Sequence, residues 1–106
     1  MPPMLEQLEN LIRERQEAGD PDASYVARLL HNGREKVAQK VGEEAVETVI
    51  AAMQDDQQAI IAESADLLFH LLILLVETGV SLADIEQELA RREGVSGLTE
   101  KASRKD

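Results

Sequence analysis

Two pairs of acidic residues stand at helical spacing in the middle of this chain. Glu44 and Glu47 are three residues apart, and Glu63 and Asp66 are three residues apart at the start of a long apolar stretch. Residues at this spacing face the same side of an α-helix, so each pair aligns two carboxylates. Aligned carboxylates suit hard divalent cations, and Mg²⁺ commonly bridges protein carboxylates to substrate phosphates. These residue types and spacings therefore favour Mg²⁺-assisted phosphate chemistry.

Two long helices joined by a short link must carry the two pairs. Apolar residues recur at every fourth position across 34–54, and a second helical segment covers 56–78. The link at residues 55–56 is so short that it predicts an antiparallel hairpin. Glu47 and Glu63 each lie about eight residues from it, so the two pairs should face each other. Without a counter-ion, this cluster would cost several kcal/mol in repulsion and desolvation.

Two further polar residues belong to the same region of the predicted hairpin. Glu43 is an i,i+4 neighbour of Glu47, and His70 lies one turn beyond Asp66. His70 has three open interpretations: it orients a carboxylate as an outer-shell partner of the metal, it contacts the substrate, or it is a core histidine satisfied by a nearby acceptor.

Cations are scarce in this chain, so the position of those near the acids is informative. Lys36 and Lys40 lie one turn apart on the approach to Glu44. They are candidates for holding phosphates that the metal bridges. The alternative for Lys40 is a simple i,i+4 salt bridge with Glu44, worth a few tenths of a kcal/mol.

Five helical segments are predicted, which makes the fold class all-α. They cover 3–18, 25–32, 34–54, 56–78 and 82–92, and the tail 95–106 has no apolar periodicity and is interpreted as irregular. The whole of 1–106 has the size of one domain. The fourth segment is apolar on most of its circumference, which is typical of a helix buried on several sides. One short chain cannot cover it, so we expect a homodimer in which each hairpin supplies half of a helical bundle.

Composition excludes several classes of protein. The chain has 106 residues, a formal net charge of −10, one Tyr, one Phe and no Cys. Nucleic-acid binding needs a basic face, so we expect no nucleic-acid partner. The absence of cysteine excludes disulfides and thiolate metal sites. The start resembles no signal peptide, and no uninterrupted apolar run reaches the roughly 20 residues that span a bilayer. We therefore expect a cytoplasmic protein without a membrane partner.

The stretch KVGEEAVETVIAA, followed by ESADLLFHLLILL, resembles the phosphoribosyl-ATP pyrophosphatase family. The broader pattern, E-x-x-E followed after about fifteen residues by E-x-x-D, is similar to that of the MazG-like all-α nucleoside-triphosphate pyrophosphohydrolases. The segments SYVARLLHNG and VSLADI and the tail SGLTEKASR narrow the resemblance to the phosphoribosyl-ATP enzyme, over roughly residues 24–104. One departure is Phe69, which stands where the family often has tyrosine.

The resemblance implies hydrolysis of phosphoribosyl-ATP to phosphoribosyl-AMP and pyrophosphate, the second step of histidine biosynthesis. Water would attack the α-phosphorus in line, with Mg²⁺ neutralising phosphate oxygens. The implied Mg²⁺ ligands are the four paired acids, Glu44, Glu47, Glu63 and Asp66.

The resemblance also implies roles for residues around those ligands. Glu43 or Glu47 is the candidate that orients and deprotonates the attacking water. Substrate phosphates would be held by basic residues of two regions, Lys36 and Lys40 on the third helix and Lys101 and Arg104 in the tail.

Two other functions use the same features. The first is a pyrophosphohydrolase of ordinary or damaged nucleoside triphosphates, which would have the same metal site and differ in substrate. The second is an acidic helical dimerisation module without enzymatic activity, which would neither bind Mg²⁺ nor be stabilised by it.

Overall fold

The computed structural model describes residues 3–93 and contains five α-helices and no strand within that range. The helices are α1 (Met4–Ala18), α2 (Tyr25–His31), α3 (Arg34–Met53), α4 (Gln57–Thr78) and α5 (Leu82–Glu93). Each boundary agrees with the sequence prediction to within one residue, and the all-α class is confirmed. The predicted irregular tail lies outside the described residues.

Local sequence signals account for most helix ends. The Ser24 hydroxyl accepts a hydrogen bond from the Ala27 amide at 3.0 Å, which caps α2. Gly19 ends α1 in the left-handed region at φ 64°. Asn32 is the C-cap of α2, and Gly33 is the N-cap of α3 at φ 100°.

The α3–α4 pair forms the predicted antiparallel hairpin. Its turn contains Asp55 in the left-handed region, at φ 54°, a conformation that Asp tolerates better than most residues. The Asp56 side chain then caps α4 by accepting from the Ala59 amide at 3.1 Å. At the other end of the hairpin, the Arg34 guanidinium at the start of α3 pairs with the Glu77 carboxylate near the end of α4.

The hydrophobic core occupies only one end of the hairpin. Its buried side chains come from α1, α2, the start of α3 and the second half of α4, and they are Ile12, Val26, Leu29, Val37, Leu72, Ile73 and Val76. The predicted burial of α4 on several sides therefore holds in one chain only from His70 onward. Nearer the turn, both helices expose apolar side chains, here named the hairpin apolar face: Val46, Val49, Ile50, Met53, Ile61 and Leu68.

One helix, α4, is long and apolar enough to cross a membrane when judged by length and composition alone. A single helix of this kind is weak evidence for a membrane span, because the core helix of a soluble protein meets the same two criteria. Part of α4 does belong to the core described above.

Candidate metal centre

Three carboxylates converge between the hairpin helices. Glu44 on α3 and Glu63 and Asp66 on α4 each offer an oxygen, and the three oxygens all lie within 4.8 Å of one another. Glu44 is buried, Glu63 is half-buried and Asp66 is exposed. The cluster is therefore anchored in the protein at Glu44 and opens to solvent at Asp66. Helical spacing aligns the two α4 acids, and the hairpin brings Glu44 opposite them.

Two oxygens of this cluster are buried without a hydrogen-bond partner. They are Oε2 of Glu44 and Oε2 of Glu63. A buried acceptor without a partner loses its hydration and gains nothing in exchange, and the loss is larger for an ionised group. A bound cation would satisfy both oxygens at once. The residues present thus fit a hard divalent cation, because every ligand atom they offer is a carboxylate oxygen.

Glu47, the fourth predicted ligand, lies beside this triple rather than within it. Its carboxylate is a close neighbour of that of Glu63. That contact, with desolvation and the nearby charges of Glu47 and Glu44, raises the pKa of Glu63 to about 7. A proton on one of two neighbouring carboxylates relieves their repulsion, so Glu63 keeps its proton to a higher pH than an isolated glutamate does.

Glu63 should make the metal-free protein less stable as the pH rises. Its pKa is about 7 in the folded chain against an ordinary value of 4.5, so between these pH values the folded chain keeps a proton that the unfolded chain has released. The free energy of unfolding then falls as the pH rises through this window, and this contribution levels off above about pH 7. Urea unfolding in the presence of a chelator, from about pH 5 to about pH 8, measures the effect.

The matched control for this prediction is a second glutamate-to-glutamine change. Glu63→Gln should remove this part of the pH dependence, whereas Glu35→Gln, at an exposed position in the first turn of α3, should keep it. The same slope in wild type and Glu63→Gln would mean that another group carries the effect.

The lysine nearest the cluster is Lys40, as the sequence predicts. Its Nζ lies 3.5 Å from Oε1 of Glu44 and 3.5 Å from Oε1 of Glu43. Burial lowers the pKa of Lys40, but the Tyr25 hydroxyl and the two carboxylates outweigh it, and the net shift is upward. Lys36 is exposed one turn earlier, and its Nζ donates to Gln39 Oε1 at 3.4 Å. Both lysines therefore lie on the α3 approach to the cluster.

Glu43 differs from Glu47 in its surroundings. The Gln39 amide donates to Glu43 Oε2 at 2.9 Å, and this bond, with the positive charges of Lys40 and Lys36, lowers the pKa of Glu43. Glu43 is therefore an exposed, firmly ionised carboxylate with partners of its own, whereas Glu47 faces Glu63.

His70 is buried and hydrogen-bonded at both ring nitrogens. Nδ1 lies 2.7 Å from the backbone carbonyl of Asp66, and Nε2 lies 2.7 Å from the hydroxyl of Tyr25. His70 thus contacts the main chain of Asp66 rather than its carboxylate, as expected for the third interpretation, a core histidine satisfied by a nearby acceptor.

Sequence reasoning assigned no role to Tyr25 or to Gln39, which donates to Glu43. One signal was available for Tyr25: it is the single tyrosine of the chain and stands in the SYVARLLHNG segment. Lys101 and Arg104, predicted to hold phosphates, lie outside the described residues.

The fold and the site together define a class: an all-α protein whose antiparallel hairpin carries a carboxylate cluster suited to a divalent cation. Sequence comparison is more specific. The profile of the family described as phosphoribosyl-ATP pyrophosphohydrolase matches residues 5–93. The chain belongs to that family.

Curated relatives agree over nearly the whole chain. A protein named phosphoribosyl-ATP pyrophosphatase from Rhizorhabdus wittichii is 60% identical over 100 residues, which cover 94% of this chain and 93% of the relative. One of the same name from Erythrobacter litoralis is 57% identical over 102 residues, 96% of this chain and 97% of the relative. A third of this name, from Novosphingobium aromaticivorans, is 55% identical over 101 residues, which cover 95% of this chain and 94% of the relative. Such biosynthetic relatives imply a soluble protein, in which α4 is a core helix.

Proposed function

We propose that this protein hydrolyses phosphoribosyl-ATP to phosphoribosyl-AMP and pyrophosphate, the second step of histidine biosynthesis, with Mg²⁺ as its cofactor. The observation that carries the proposal is the carboxylate triple of Glu44, Glu63 and Asp66, with two buried oxygens that lack partners, in a chain of this family. A site of carboxylate oxygens opening to solvent is suited to a hydrated Mg²⁺ that also contacts substrate phosphates.

Four side chains would hold the cation: Glu44, Glu47, Glu63 and Asp66. A bound Mg²⁺ would neutralise the negative charge of the phosphate oxygens and of the departing pyrophosphate. Glu47 would enter this set because it adjoins Glu63, and a cation would compensate the charges of both carboxylates.

Glu47 is also the better of the two candidates for the residue that orients and deprotonates the attacking water. Glu43 is engaged by Gln39 and Lys40, and its pKa is lowered, which makes it the weaker base. The carboxylate of Glu47 instead lies next to Glu63, which is a member of the carboxylate triple.

The substrate's phosphates would be bound by Lys36 and Lys40, which line the approach to the cluster along α3. Lys40 lies between two carboxylates and stays charged. Lys36 is exposed, and its Nζ donates a hydrogen bond to the neutral side chain of Gln39. Lys101 and Arg104 of the tail would also bind substrate phosphates, as the family resemblance implies.

We also propose a homodimer located in the cytoplasm, with no nucleic-acid or membrane partner. The hairpin apolar face supports it: Val46, Val49, Ile50 and Met53 on α3 are half or more exposed in the single chain, at 50–79%. Exposed apolar side chains in this number on one hairpin are typical of a surface that another protein covers. The second copy would complete the bundle.

The direct test is pyrophosphate release from phosphoribosyl-ATP, with and without Mg²⁺, by the wild type and by Glu47→Gln. We expect Mg²⁺-dependent release that the variant loses although it remains folded by circular dichroism. Release from ordinary nucleoside triphosphates but not from phosphoribosyl-ATP would keep the site and contradict the substrate. No release from any of them would contradict the enzymatic function.

A further inference from the structure

The Tyr25 hydroxyl connects α2 to α4 at the level of the carboxylate cluster. Tyr25 is the first residue of α2, and its Oη lies 2.7 Å from Nε2 of His70, 45 residues later in the chain. His70 continues the connection, because its Nδ1 lies 2.7 Å from the backbone oxygen of Asp66. A chain of two short hydrogen bonds thus runs from α2 to a residue of the cluster.

The direction of each hydrogen bond follows from the chemistry of the partners. A backbone carbonyl only accepts, so Nδ1 of His70 must carry a proton and donate it. In the neutral imidazole Nε2 is then an acceptor, and the Tyr25 hydroxyl donates to it. One tautomer of His70 satisfies both bonds, and it needs the tyrosine hydroxyl as its second partner.

Aromatic packing fixes the ring that carries this hydroxyl. The rings of Tyr25 and Phe69 stack with centroids 6.2 Å apart and an interplanar angle of 25°. His70 meets both rings edge-on, at 5.7 Å from Tyr25 and 5.2 Å from Phe69. The two aromatic residues of the chain therefore surround His70 and aim the hydroxyl at it.

The hydroxyl also lies within the electrostatic field of the cluster. Desolvation raises the pKa of Tyr25, Lys40 opposes this, and Glu44, Asp66 and Glu43 reinforce it, with a net upward shift. The group therefore stays protonated and remains a donor at neutral pH. Three acids of the site are close enough to act on it.

We propose that Tyr25 is a positioning residue of the metal centre. Its hydroxyl donates to Nε2 of His70 and so anchors the imidazole whose Nδ1 donates to the Asp66 carbonyl, and His70 in turn holds the turn of α4 that presents Asp66 opposite Glu44. Outer-shell partners of this kind orient metal ligands, and losing one typically weakens metal affinity or activity about 10- to 100-fold. The inference rests on the proposed function, because it assigns Tyr25 to the same cation site.

The test compares Tyr25→Phe with wild type in the full-length protein. The substitution keeps the ring stack and removes only the hydroxyl. We expect Mg²⁺ affinity, measured by calorimetry, to weaken about tenfold and kcat to fall with little change in KM. The control is Arg34→Gln, which breaks the contact between α3 and α4 at the other end of the hairpin and should leave Mg²⁺ affinity unchanged.

Nitrogen-15 NMR of the two histidines gives a readout that does not depend on activity. In the wild type, His70 should be a single Nδ1-protonated tautomer, whereas exposed His31 should show tautomer exchange and serves as the internal reference. In Tyr25→Phe, the bond to the Asp66 carbonyl should keep His70 in this tautomer, and the Nε2 resonance should shift because that nitrogen loses its donor. An Nε2-protonated His70 in the wild type would overturn the inference even if the variant did not fold.

The remaining outcomes separate this inference from the proposed function. Wild-type Mg²⁺ affinity and kcat in Tyr25→Phe, with only a lower melting temperature, would reduce Tyr25 to a structural contact and leave the metal site intact. Absence of Mg²⁺ binding by the wild type would overturn both proposals.

Discussion

Replacing Glu44 by glutamine is expected to lower pyrophosphate release at least about 100-fold while making the metal-free protein more stable. Glu44 is the buried member of the triple, and its Oε2 has no partner. Losing a direct ligand should cost at least as much activity as losing an outer-shell partner, which reaches about 100-fold. Removing this buried charge relieves its repulsion of Glu63, which should outweigh the loss of the long, partly exposed contact with Lys40 and raise the free energy of unfolding by about 1 kcal/mol.

A variant that loses activity but gains stability identifies its residue as a metal ligand, whereas replacing a structural residue should lower both activity and stability. The measurements are pyrophosphate release under saturating Mg²⁺ and urea unfolding in a chelator. Glu35→Gln, the same chemical change at an exposed position on α3, should alter neither value appreciably. A Glu44→Gln protein that is less stable and inactive would indicate that Glu44 supports the fold.

Replacing Val49 by lysine is expected to convert the protein to a monomer. Val49 belongs to the hairpin apolar face and is 59% exposed in the single chain. The change should therefore leave the protomer's own packing intact, yet place two unpaired charges in a symmetric interface. Burying an unpaired charge costs several kcal/mol, so the dimer should weaken at least about 100-fold.

Sedimentation equilibrium at micromolar concentration measures this effect. The matched control is Leu89→Lys on α5, because Leu89 is also 59% exposed but lies off the hairpin. The control should remain dimeric and the Val49→Lys protein should not. A dimeric Val49→Lys protein, or a monomeric wild type, would contradict the proposed interface.

The sequence alone determined the helices and the grouping of the acids, because both depend on local spacing. Apolar periodicity predicts helix ends within one residue of those observed. The spacing of Glu63 and Asp66, together with a short link at residues 55–56, was enough to predict that acids of α3 and α4 meet. Helical geometry makes residues at such spacing face the same side of their helix, and a short hairpin leaves little choice in the register of the two helices.

Only the tertiary structure decided which acids form the triple and which partners surround them. Glu47 has the same spacing from Glu44 as Asp66 has from Glu63, yet it lies beside the triple. The side on which α3 approaches α4 makes this difference, and helix packing sets it rather than residue spacing. The bond between Tyr25 and His70 joins residues 45 positions apart, and no local periodicity relates them. It exists because α2 packs across the hairpin, and that packing follows from the shared burial of the whole core.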